Sequence, residues 1–162
     1  MNKNFAIAFG VGLACIVAAV SGVFFIQRGA HMELPGKVLK VRTAALDDNS
    51  SVAVLDFRVT NPSDVLFVVR NVTLEMEDPQ GNSYLGQVAA DTDAKRMFEA
   101  LPLLGQKFND TLLIRDKIAA HTSQDRMVAA RFEAPVARLD ARKKFLIRIE
   151  EVDGKSFELL ER

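Results

Sequence analysis

The chain has 162 residues, room for one ordinary domain and a short appendage, and its 21 basic residues balance its 21 acidic ones. That balance lacks the basic excess with which proteins grip phosphates, so no nucleic-acid partner is expected. The single cysteine, Cys15, lies in an apolar N-terminal run, leaving the rest of the chain without a disulfide or a thiolate zinc site.

Behind a four-residue tail (1–4), residues 5–26 read FAIAFGVGLACIVAAVSGVFFI, 22 positions without a charge. As a helix this run spans roughly 33 Å, the thickness of a bilayer's hydrocarbon core. It outlasts the apolar stretch of about 7–15 residues typical of a cleaved signal peptide, and it ends in Val23-Phe24-Phe25-Ile26 rather than in small residues. Gly12-Leu13-Ala14-Cys15 resembles a degraded lipoprotein signal, but apolar residues continue beyond the cysteine. A single uncleaved transmembrane helix is therefore expected, with the bilayer as its partner.

Within that run Ala6, Gly10, Ala14, Ala18 and Gly22 recur at every fourth position and form one ridge of small side chains. Such ridges let helix backbones approach closely in lipid, so a packing interface with a second copy or another membrane protein is expected there. Lys3 favours a cytoplasmic start and an extracytoplasmic domain, while Arg28, Lys37, Lys40 and Arg42 argue the other way. Lys37, Lys40 and Arg42 are assigned to the folded domain, which weakens their vote.

A polar tether (27–36, QRGAHMELPG) leads into a domain expected over 37–162. Residues 52–60 alternate, with Ala53, Leu55, Phe57 and Val59 on one face and Val54, Asp56, Arg58 and Thr60 on the other. This period of two is the mark of a half-buried strand. Val72, Leu74 and Met76 alternate in the same way over 71–77. Turn residues separate the strands at 47–50 (DDNS), 61–64 (NPSD) and 78–81 (DPQG). Residues 91–101 (DTDAKRMFEAL) lack alternation and precede Pro102, which predicts a short helix packing Met97, Phe98 and Leu101 inward.

The last hairpin can be registered from chemistry. With Val152-Asp153-Gly154 as a three-residue loop, Glu151 faces Lys155, Ile149 faces Phe157, Arg148 faces Glu158 and Ile147 faces Leu159. A slip by one residue would set Ile149 against Glu158. Seven or eight short strands with regular turns predict an all-β, immunoglobulin-like β-sandwich with one helical insertion.

The stretch 52–85, VAVLDFRVTNPSDVLFVVRNVTLEMEDPQGNSYL, resembles the water-stress and hypersensitive-response domain of late-embryogenesis-abundant proteins. There an alternating strand ends in Asn-Pro, here Asn61-Pro62, before a second strand and a glycine turn. The chain is also similar to bacterial membrane-tethered immunoglobulin-like domains, whose late strand ends in Phe-x-x-Pro, here Phe132 to Pro135. The first resemblance implies a protective or surface-binding role. The helical segment 91–101 departs from both patterns.

Candidate chemistry is sparse. His121 with Asp125 and either Thr122 or Ser123 is the one conceivable hydrolytic set, though such residues usually build turns. Asp91-Thr92-Asp93 and Asp47-Asp48-Asn49 carry oxygens but match no calcium loop. Arg142-Lys143-Lys144 could touch anionic headgroups, or form a solvated strand entrance. No enzyme, cofactor, metal or small-molecule substrate is expected. The expectation is an anchored interaction or structural module at the cell envelope, or an accessory subunit of a membrane complex.

Overall fold

The computed structural model describes residues 12–13, 16–17, 21 and 34–161. Gly12, Leu13, Ile16, Val17 and Ser21 are helical, and the rest of the 5–26 run lies outside the described residues, as do Ala6, Gly10, Ala14, Ala18 and Gly22. Among the described residues no helix is long and apolar enough to cross a membrane. The chain divides into two compact units, Met1–Met32 and Glu33–Arg162. The second is mostly β.

Its strands are β1 (Gly36–Ala45), β2 (Ser51–Asn61), β3 (Phe67–Glu77), β4 (Ser83–Val88), β5 (Asp110–Thr111), β6 (Lys117–Ile118), β7 (Thr122–Phe132), β8 (Lys144–Glu151) and β9 (Ser156–Leu160). They form one sheet in the order β1-β2-β7-β4-β3-β8-β9, with β5 on β7 and β6 on β3. Every pairing is antiparallel except β5 with β7. The nine strands exceed the seven or eight expected because β5 and β6 have only two residues each, too short to show a period.

The sheet curls at β4. Leu85 and Gly86 pair with β3, whereas Gln87 and Val88 pair with β7, so one short strand carries the hydrogen bonding from one half to the other. Gly86 makes that crossing possible, since a Cβ there would lie 2.6 Å from Phe132 Cζ and 2.9 Å from Ala130 Cβ. At the far ends of the path the edges meet again, and a Cβ on Gly36 of β1 would lie 2.8 Å from Leu159 Cδ2 of β9.

One buried row from each long strand fills the curl: Leu55, Phe57 and Val59 from β2, Leu74 and Met76 from β3, Val128 and Phe132 from β7, Phe145, Ile147 and Ile149 from β8. Phe132 and Phe145, on strands that are not neighbours, bring their ring centroids to 5.8 Å. The rows expected on β2 and β3 are therefore the rows that face the core, although β3 starts earlier, at Phe67.

The expectation for β2 is corrected on its other face. Val52, Val54 and Asp56 are buried as well, so this strand is covered on both sides over its first half. The cover is helix α1 (Asp91–Ala100) with the 3-10 turn Pro102–Leu104 behind it. Together they seal a second apolar cluster of Ala44, Val52, Val54, Met127, Ala129 and Leu104, with Met97, Phe98 and Leu101 against it as expected. Asp91 and Asp93 suit the positive end of α1, and Pro102 stops it. A second short helix, α2 (Val136–Asp140), follows Pro135 and has no counterpart in the sequence expectation.

The β8–β9 hairpin has the expected register: Ile147 opposes Leu159, Arg148 opposes Glu158 and Ile149 opposes Phe157. Gly154 takes a φ of +87°, the left-handed conformation that closes such a loop. Its N–H donates to Glu151 O at 2.9 Å, and Glu151 N–H donates to Lys155 O at 2.7 Å. The expected turns also form. Asp47 Oδ1 accepts from the backbone N–H of Asn49 and Ser50, and Asp78 Oδ1 accepts from those of Gln80 and Asn82.

Candidate functional site

The hydrolytic set does not assemble. His121 Nε2 bonds Asp64 Oδ1 at 2.8 Å rather than Asp125. Asp125 is held by two bonds from Arg58, at 2.6 and 2.7 Å. Ser123 shares a hydrogen bond with Thr60 at 2.7 Å, and Thr122 donates to Ala119 O at 2.8 Å. Each member is spent on a local tie between strands or within a turn.

Of the acidic candidates, Asp47 and Asp91 are tied up in the same way. Asp91 sits 2.7 Å from Lys95 and 3.4 Å from Lys107, and accepts from Thr111 at 2.9 Å. Lys95 first, then Thr111, lower its pKa to about 2. Among the described residues no group of three His, Cys, Asp or Glu is placed to hold a metal ion.

Each cation of the basic run 142–144 has a carboxylate partner, two of them sharing one. Arg142 pairs with Glu161, and its guanidinium lies 4.6 Å from the Phe145 ring centre. Lys143 and Lys144 reach the two carboxylate oxygens of Glu77 at 2.6 and 2.9 Å. These bonds hold Glu77 below the usual glutamate range, Lys143 first. The solvated strand-entrance reading is thus the better description, with the addition that the entrance is cross-tied.

Two polar features are absent from the sequence reading. The first is Arg42 on β1. Its Nη2 donates to Asp56 Oδ2 at 2.6 Å, and its Nη1 donates to the carbonyls of Leu104 and Gln106 at 2.8 and 2.7 Å. Asn109 donates to the other Asp56 oxygen at 2.8 Å. The guanidinium carbon lies 4.9 Å from the Phe98 ring centre and 5.7 Å from that of Phe108. One side chain thus ties α1, the 3-10 turn and the following loop to the sheet. The second is Glu151, the last residue of β8. It is buried, its Oε2 has no partner, and burial first, then Asp153, pushes its pKa up.

The remaining candidate surface is the pole of the domain where the chain enters. Gly36 opposes Val59, and Pro35 O accepts from Thr60 N–H at 2.9 Å, so the N-terminal side joins at the end of β2. Three connections converge there on the first residues of β3. The β2–β3 loop runs directly into Phe67, Arg115 N–H donates to Val69 O at 2.7 Å, and Val152 N–H donates to Val68 O at 3.1 Å. Their tips expose apolar side chains: Val65 (52%), Leu66 (46%), Ile114 (63%) and Val152 (55%).

Beside them opens a cleft of about 410 Å³ between Asn71, Val72, Val88, Leu112, Leu113 and Ile114, in the gap where β4 leaves β3 for β7. Arg70, Arg115 and Lys117 are exposed around this pole, interleaved with Asp64, Asp116 and Asp153. The chain matches no protein-family model and no curated protein at a significant level.

Proposed function

We propose that this chain is a membrane-anchored, non-enzymatic interaction or structural module of the cell envelope, held by residues 5–26 as a single-pass helix. The observation that carries the reading is the uncharged run of 22 residues, whose length matches a bilayer core. On this reading the β unit is an immunoglobulin-like sandwich standing outside the cytoplasm. The split pairing of β4 and the two facing rows of Phe132 and Phe145 support a sandwich. The resemblance to water-stress domains supports a protective or surface-binding role.

A second reading, an accessory subunit of a larger membrane complex, rests on the small-residue ridge Ala6, Gly10, Ala14, Ala18 and Gly22. Purification in a mild detergent tests both. A monomer or homodimer favours the module, and a stoichiometric foreign partner favours the subunit. Loss of the chain from membranes on alkaline carbonate washing would defeat both.

A further inference from the structure

We infer that the pole carrying Val65, Leu66, Ile114 and Val152 rests in the interfacial layer of the lipid bilayer, as a set of loop tips pressed among the headgroups. This inference rests on the anchored reading of residues 5–26 and extends it from the helix to the domain.

Where the chain enters the domain supplies the first argument. Residues 27–35 separate the apolar run from β1, and nine residues reach at most about 32 Å even when fully extended. The chain arrives at the end of β2, beside Val59 and Thr60. That is the end from which the β2–β3 loop departs and at which β8 turns into β9. A bilayer spanned by residues 5–26 therefore has this pole within reach.

The second argument is what the pole displays. Four branched aliphatic side chains on three separate connections are about half exposed or more, although each connection is short and hydrogen-bonded to the start of β3. Isolated exposed aliphatics are ordinary. Their convergence at one end, on chain segments up to 87 positions apart (Val65 to Val152), is not explained by packing, since the core row ends at Phe67 and Phe157 beneath them.

Charge sharpens the choice of occupant. Arg70, Arg115, Lys117 and Lys155 lie on or beside these connections together with Asp64, Asp116 and Asp153, so the two signs are close to balanced at the pole. At the opposite pole the cations Arg142, Lys143 and Lys144 are all paired with Glu161 and Glu77. Contact driven by aliphatic side chains, with long basic side chains reaching the headgroup level, suits an interface of mixed polarity. It should depend little on anionic lipid.

The chain contains no tryptophan, so single tryptophans report without background. The full chain is reconstituted in phosphatidylcholine vesicles with acyl chains brominated near the headgroup. Val65→Trp, Ile114→Trp and Val152→Trp are compared with Leu85→Trp on β4 and Leu103→Trp on the 3-10 turn, both exposed and away from this pole. Each variant is first shown to keep the wild-type thermal transition, and three tips on separate connections give three independent readings.

The three tip variants are expected to emit at shorter wavelength and to lose roughly half their emission to bromine, as for side chains about 5–10 Å into the interface. Leu85→Trp and Leu103→Trp should be unaffected. Solvent-like, unquenched emission at the tips would overturn the inference, and equal quenching at all five sites would overturn it as well. Blue-shifted but unquenched tips would overturn it too, and would place the tips against a second copy of the chain. Alkaline carbonate separates the two levels of failure: a chain that washes off defeats the anchor, while a retained chain with unquenched tips defeats only the docked pole.

Discussion

Arg42 and Asp56 meet at 2.6 Å on neighbouring strands, with only 7% and 4% of their side chains exposed. They sit diagonally, because Arg42 opposes Val54 and Lys40 opposes Asp56. A buried ion pair is weak evidence of net stabilisation, but removing one partner strands the other in a poorly solvating site. Here the stranding is compounded, since Arg42 also serves the carbonyls of Leu104 and Gln106. Arg42→Ala and Asp56→Ala should each cost about 3–5 kcal/mol. The double variant should cost clearly less than their sum, because the second change removes a group already stranded. Urea unfolding of the detergent-solubilised chain, followed by circular dichroism, measures all three. Additive costs would show that the two groups do not depend on each other.

Phe57 offers a cleaner test of the curled sheet. It is fully buried in the row that β2 presents to the core. Truncating it removes a large apolar surface and leaves a void that the flanking strands close only in part. Phe57→Ala should therefore cost about 3–5 kcal/mol, read as a lower unfolding midpoint. Unchanged thermal stability would mean that β2 does not face the core with this row.

Sequence reading reached as far as contacts between near neighbours. The β8–β9 register was legible because eight residues on either side of Gly154 contain all the opposing pairs, and because Gly154 marks the loop. Helix α1 was legible from its own composition, down to the inward set of Met97, Phe98 and Leu101. The second face of β2 was not legible. Val54 and Asp56 alternate like an exposed row, and what buries them arrives some fifty residues later in the chain. Arg42 hid for the same reason, since an arginine on a strand reads as solvated until a remote loop supplies carbonyls. The basic run 142–144 reads as a solvated strand entrance, and what the sequence hides is its partners, since Glu77 lies on β3 and Glu161 just beyond β9. At the pole, Val65, Ile114 and Val152 look like unrelated loop residues until the sheet gathers them around Phe67.

Acid should weaken the domain through a defined set of carboxylates. Asp91, Asp78, Asp47 and Glu77 all have their pKa lowered by hydrogen bonds, Asp91 to about 2. A carboxylate with a depressed value in the folded state binds protons more readily when unfolded. Its contribution is complete above the ordinary range near 4 and is lost as pH falls towards about 2. Asp91→Asn should lower the unfolding midpoint at neutral pH and flatten the loss between about pH 4 and pH 2. A variant whose midpoint falls with acid as steeply as that of the wild type would show that Asp91 takes no part.

Glu151 should work in the opposite sense and in a neighbouring window. Burial pushes its pKa above the ordinary 4.5, and its Oε2 finds no hydrogen-bond donor. The folded state therefore holds this proton more tightly than the unfolded chain does. Below about 4.5 both states are protonated and the group costs nothing extra. As pH rises from there through the folded-state value, stability falls, and above it the full cost of a buried carboxylate remains. Glutamine keeps the shape and carries no charge. Glu151→Gln should thus raise the unfolding midpoint at neutral pH relative to wild type, since it removes the charge that burial disfavours. The gain over wild type should vanish in acid and grow to a plateau with rising pH, while the acid limb set by Asp91 stays in place. Thermal unfolding of both proteins across pH gives the difference directly. A gain that is independent of pH would assign the effect to packing, and a loss at neutral pH would mean that the charge on Glu151 has a partner.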